Sequence, residues 1–107
     1  MSGEGLTEQA FRLEADGALE RLQHRLLPLA DQAGFEVELQ NGVLQIVFED
    51  PPAKFVISPN APVRQVWVSA LSRSFKLSWS AVPPAFALDG EHLDALIERL
   101  VRQHLGA

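Results

Sequence analysis

Residues 35–69 read FEVELQNGVLQIVFEDPPAKFVISPNAPVRQVWVS, and the alternation in that stretch decides the fold. Phe35, Val37 and Leu39 alternate with Glu36, Glu38 and Gln40, the period of a strand with one side in a core. Asn41-Gly42 follows, and because both residues accept positive φ the pair predicts a type I′ hairpin turn. The return strand sets Leu44, Ile46 and Phe48 on one side and Val43, Gln45 and Val47 on the other. Asp50-Pro51-Pro52 predicts the next turn, ahead of a third strand over 54–58. Pro59-Asn60-Ala61-Pro62 breaks that strand. A fourth over 63–69 places Val66 and Val68 opposite Gln65, Trp67 and Ser69.

The pattern continues outward in both directions. Residues 73–80 predict a fifth strand, with Phe75, Leu77 and Trp79 turned to the core and Lys76 and Ser78 away from it; Pro83-Pro84 ends it, and 85–88 predict a short sixth. Upstream, Phe11, Ala15, Ala18, Leu19, Leu22, Leu26 and Leu29 recur at helical spacing behind Thr7, a capping residue. Pro28 is expected to end or kink that helix, and Gly34 completes the exit. Downstream, Asp89 is expected to cap a final helix whose face is Leu93, Leu96, Ile97, Leu100, Val101 and Leu105, with Gly106 as its stop. Strands linked by hairpins form an antiparallel meander. The fold class is therefore α+β: a two-layer α–β sandwich over 1–107, a single domain. Its N- and C-terminal helices pack on one face of an antiparallel sheet of about five to six strands. The other face is left bare. Trp67 falls there, and an indole on a bare face is a candidate anchor for a protein partner, ringed by Gln45, Gln65, Ser69 and Lys76.

Composition narrows the chemistry. The chain has 107 residues, 47% of them hydrophobic, enough for one core. It has no cysteine, which excludes disulfides, thiolate metal sites and a thiol nucleophile. No apolar run is long enough for a membrane span, and the opening Met-Ser-Gly-Glu-Gly has neither the basic nor the hydrophobic region of a targeting peptide. The chain reads as soluble and cytoplasmic. Residues 1–38 hold eight acids against three arginines, which accounts for the whole net charge of -5; the remainder is balanced. That distribution speaks against a nucleic-acid partner and for a cation or a basic protein surface.

On these residues the chain resembles the frataxin family, which includes the bacterial CyaY proteins. The Asn41-Gly42 hairpin through Phe48, the segment from Phe55 to Ser69 with its Gln65-x-Trp67 signature, and the terminal helix after Asp89-Gly90 carry the resemblance. The order of elements is similar from about Phe11 to Leu105. The resemblance implies a frataxin-like sandwich and weak surface binding of ferrous or ferric iron by an acidic ridge. It also implies work as an iron chaperone or adaptor on the cysteine desulfurase and scaffold protein of iron–sulfur cluster assembly. A ferroxidase activity is implied by the family alone. The family's acid-rich helix end is Gln23-His24-Arg25-Leu26-Leu27-Pro28 here, so the ridge is reduced to Asp31, Glu36 and Glu38, with Asp16 and Glu20 further up the helix.

Asp16, Glu20 and His24, at i, i+4 and i+8, form one helix stripe whose oxygen and nitrogen ligands could share a cation weakly; a solvated helix face has the same pattern. Glu36 and Glu38 point to one side of a strand and suit a hard cation. With Asp31 these are the candidate metal ligands. His92 and His104 lie twelve residues apart, about 18 Å of helix, and cannot share a metal. No Gly-rich phosphate loop and no nucleophile–base pairing is present. The alternative reading is a frataxin-fold adaptor, a monomer, that works by protein contact with little or no iron.

Overall fold

The structure, a computed structural model, describes residues 6–106; Glu4 and the opening five residues read above lie outside the described residues. The first helix, α1, spans Glu8–Ala33. Thr7 caps it, its hydroxyl accepting from the Ala10 N–H at 3.1 Å, and Glu8 in the first turn pairs with Arg12 at 2.7 Å. The seven strands are β1 Glu36–Gln40, β2 Val43–Glu49, β3 Pro52–Asn60, β4 Gln65–Ala70, β5 Arg73–Ala81, β6 Pro84–Leu88 and β7 Glu91–His92. A single turn of 3-10 helix, Ala61–Val63, joins β3 to β4. The second helix, α2, spans Leu93–Leu105.

Among the described residues all seven strands form one sheet in chain order, each antiparallel to the next. One face is covered by the helices. Leu44, Ile46, Phe48, Phe55, Ile57, Val66, Val68, Phe75, Leu77 and Phe86 supply its core side. α1 adds Phe11, Ala15, Leu19, Leu22 and Leu26, and α2 adds Leu93, Leu96, Ile97, Leu100 and Val101. Each such leucine, isoleucine or phenylalanine contributes about 1.5–3 kcal/mol by leaving water. No polar side chain is buried among the described residues.

Four expectations need correcting. The sheet has seven strands, because Asp89 and Gly90 (φ 52° and 82°) form a two-residue hairpin turn that creates β7. Asp89 is therefore not a helix cap: His92 holds the N-cap position of α2 and makes no side-chain cap bond. α1 does not end at Pro28 but continues to Ala33, closed by Gly34 at φ 81° with its N–H on the Ala30 carbonyl at 2.8 Å. Leu26 and Ala30 are buried on either side of the proline, and that packing outweighs one missing hydrogen bond. Trp79 has the predicted phase but is only half-buried. It sits at the margin of the core, edge to face with Phe86 at 5.1 Å between ring centroids and 68° between planes.

Candidate functional site: the bare face of the sheet

The register sets which side chains share the bare face. Trp67 on β4 lies between Ser58 on β3 and Lys76 on β5. Val56, Ser69 and Ser74 form the next cross-strand row, and Gln65 pairs with Ser78. The rows alternate with buried ones because side chains along a strand point to opposite faces. Val66 and Val68 face the helices at 0% and 2% exposure, and Trp67 between them is 36% exposed.

Three neighbours hold the indole. Its N–H donates to the Gln65 Oε1 at 3.0 Å. The Gln65 amide nitrogen in turn donates to the Ser78 hydroxyl at 3.4 Å. Lys76 Nζ sits 4.8 Å from the ring centroid, a cation–π contact worth about 0.5–1 kcal/mol at an exposed position. Beside the ring is a notch of about 240 Å³, lined among others by Val56, Ser58, Ser69 and Lys76. Of the residues expected around Trp67, the structure brings Gln65, Ser69 and Lys76 to it. Gln45 is set apart, because Val56 on β3 stands between Gln45 and Ser69. Alternation told which face Gln45 occupies but not how many strands separate it from β4.

The six candidate metal ligands fall into separate places. Glu36 lies opposite Val47 and Glu38 opposite Gln45, so both carboxylates point onto the same bare face as Trp67, at its β1 edge. With β2 and β3 in between, β1 and β4 are about 14 Å apart at the usual strand spacing. Asp31, from the last turns of α1, joins Glu36 and Glu38 around one shallow groove. Asp16 lines a different groove with Asn41 and Gly42, its Oδ1 3.9 Å from where a Gly42 Cβ would stand. Fifteen residues of α1 separate Asp16 from Asp31, about 22 Å along the axis. Glu20 and His24 are exposed on α1 between them. Among the described residues no three His, Asp or Glu side chains are grouped closely enough to hold a metal ion together.

A further cluster escaped the sequence reading. Arg25 of α1 reaches α2, with Nη1 2.8 Å from Asp94 and Nη2 2.9 Å from Glu98. Arg102 meets Glu98 at 3.1 Å. The hydrogen bond from Arg25, and after it the one from Arg102, hold the Glu98 carboxyl below the usual carboxylate range. Glu91 is lowered likewise by its hydrogen bond from Arg99. These pairs clasp or flank the helices, away from the bare face. Nothing local in the sequence marks Arg25 as a link across 69 residues to Asp94.

Comparison with known proteins agrees with this architecture. A family model described as "Frataxin-like domain" matches residues 4–107. The chain is 29% identical over 103 residues to "Iron-sulfur cluster assembly protein CyaY" of Janthinobacterium sp. (strain Marseille), covering 94% of this chain and 92% of the relative. It is 30% identical over 105 residues to the protein of the same description from Pseudomonas syringae pv. syringae (strain B728a), covering 94% and 91%. Among solved structures, a frataxin from Psychromonas ingrahamii superposes with a TM-score of 0.74 at 18% identity, covering 92% of this chain and 91% of that one, which is a likeness of fold.

Proposed function

Since this chain belongs to the frataxin-like domain family, we propose that it is an accessory protein of iron–sulfur cluster assembly. In this reading it docks as a monomer, in the cytoplasm, onto the cysteine desulfurase and its scaffold protein. The observation that carries the proposal is Trp67, standing 36% exposed on the sheet face that the helices leave uncovered. Aromatic side chains dominate the energetic centres of interfaces, ringed by contacts that exclude water, and Ser58, Ser69 and Ser74 stand around this one. A partner covering about 800 Å² of this face would span from Trp67 to Glu36 and Glu38. The carboxylates and the indole then belong to one footprint.

Iron enters as cargo. Asp31, Glu36 and Glu38 supply hard oxygen ligands around one open groove, a donor set that suits ferrous or ferric iron and holds it loosely. Loose ligation favours transfer to a partner. The second reading, docking by contact alone, is favoured because Asp16, Glu20 and His24 do not line that groove and no three candidate ligands among the described residues are grouped closely enough to hold a metal ion together.

Calorimetry with the purified desulfurase–scaffold complex separates the readings. Trp67→Ala is expected to weaken binding at least tenfold with the fold intact; unchanged affinity rejects the docking proposal. Replacing Glu36 and Glu38 together with glutamine is expected to abolish any strengthening of binding by ferrous iron. If iron never strengthens binding, contact alone is the function.

A further inference from the structure

The helix-covered side of the sheet is not closed along β6. There α1, the first turn of α2 and the β5–β6 pair leave a groove of about 380 Å³. Its floor is apolar: Ala18 and Leu22 come from α1, Phe86 and half-buried Trp79 from the sheet. Its rim carries charge. Asp94 lines it, yet that carboxylate is already spoken for: Arg25 reaches Oδ2 at 2.8 Å and the Ala95 N–H donates to Oδ1 at 2.8 Å. Arg25 is shared with Glu98 in the same clasp. Arg21 is different. It lines the groove and forms an ion pair with no carboxylate among the described residues.

The local sequence of α1 accommodates this arginine. Gly17 sits one turn before Arg21, and a Cβ on Gly17 would come within 3.0 Å of Arg21 Nη1. The guanidinium therefore folds back over the helix into space that a side chain at position 17 would take. Glycine inside a helix weakens it, so the position carries a cost that alanine would avoid.

We infer that this groove binds a compact apolar anion: a ring system or short hydrocarbon bearing one carboxylate or sulfonate. Its apolar part lies against Trp79 and Phe86, and its charge on Arg21. The volume is within the range of small-molecule sites. It is smaller than a single turn of a partner helix about 10–12 Å across. The match rests on charge: among the described residues Arg21 is the arginine at the rim without an ion-pair partner, beside an imidazole, His92, and a guanidinium's hydrogen bonds to an anionic oxygen are among the strongest available to a side chain. The site lies on the opposite side of the sheet from Trp67 and is independent of docking there.

The test uses 8-anilinonaphthalene-1-sulfonate and its uncharged counterpart N-phenyl-1-naphthylamine on the full chain. Two backgrounds, Trp67→Phe and Trp79→Phe, leave one indole each. Near-UV circular dichroism confirms native packing, because the sulfonate probe also lights up loosened proteins. The sulfonate is expected to saturate one site and to quench Trp79 by energy transfer. Arg21→Ala is expected to weaken the sulfonate at least fivefold and to leave the uncharged probe within twofold. Gly17→Ala, which displaces the guanidinium without removing it, is expected to weaken the sulfonate too. No saturable binding up to millimolar probe, equal affinity in Arg21→Ala, or quenching confined to Trp67 each overturns the inference. The last outcome places the probe on the bare face instead.

Discussion

The two faces of the sheet share the same strands and the same backbone hydrogen bonds, and they are built for different ends. On the helix side Leu44, Ile46, Phe55, Ile57, Val66 and Leu77 are fully buried, each fixed in type by what it touches. On the other side the residues that alternate with them are Gln45, Val56, Ser58, Gln65, Trp67 and Lys76, and none of these is fully buried. Burial accounts for the first set. Burial explains the second set only in part, and Trp67 least, because more than a third of a large apolar side chain is left in water. The contrast is sharpest between adjacent residues on one strand. Ile57→Ala is expected to cost about 2–5 kcal/mol, the transfer of the lost carbons plus the cavity left behind. Ser58→Ala, one residue on, is expected to stay within about 0.5 kcal/mol. Urea unfolding of both variants checks this, and comparable losses would erase the distinction between the faces.

That distinction was readable from alternation, and so were the helices and the hairpin at Asn41-Gly42. The two-layer arrangement and the position of Trp67 followed directly. What stayed hidden has particular causes. Asp89-Gly90 carries a hairpin signal as strong as Asn41-Gly42, but the apolar run after it drew the aspartate into the role of a helix cap. Leu71 and Ser72 turn the chain between β4 and β5 at φ 53° and 61° with neither glycine nor asparagine to announce it. The local cost of Pro28 does not reveal the packing of Leu26 and Ala30 that carries the helix past it. For the metal candidates, spacing told which residues share a helix stripe or a strand face. It could not tell that Asp31 would meet Glu36 and Glu38 around a groove while Asp16 sits over the hairpin turn.

Pro28 offers the next test, since α1 is half of the cover that separates the two faces. Proline removes the N–H that would reach the His24 carbonyl, and its ring crowds that carbonyl. Pro28 is exposed, so no packing is lost by replacing it. Pro28→Ala is expected to stabilise the protein by about 1–3 kcal/mol in thermal or urea unfolding. Partner binding at the bare face should not change. A loss of stability would mean that the proline shapes the path of α1 over β1, where the helix makes its densest contacts with the sheet.

A smaller effect asks whether the cover is held by charge as well as by apolar contact. Glu98 has its folded-state pKa lowered, first by Arg25 and then by Arg102. A lowered carboxyl contributes stability that is complete above the unfolded value, near about 4.3. The contribution disappears as the pH falls through the lower folded value. Glu98→Gln should therefore melt below the wild type at pH 7, and the two should converge in acid. The gap should stay under about 1 kcal/mol, as for exposed pairs in general. Melting curves that coincide at neutral pH would assign the cover to its leucines alone.

The smallest effect lies on the bare face itself. Lys76→Ala removes the ammonium 4.8 Å above the Trp67 ring, and the expected loss of stability is about 0.5 kcal/mol. The more telling readout is optical. In a Trp79→Phe background Trp67 is the only indole, and the ammonium beside it attracts anions and repels cations. Iodide should then quench its fluorescence more efficiently than caesium, and the preference should shrink in Lys76→Ala. Equal quenching by the two ions in both proteins would mean that the lysine does not dwell over the ring. The indole would then present its open face to any partner, and desolvating a bound ammonium would be no part of the cost of docking there. If the preference is seen, a partner that displaces Lys76 from the ring must offer the ammonium an acceptor of its own, since a cation left unpaired in an interface costs more than the indole contact returns.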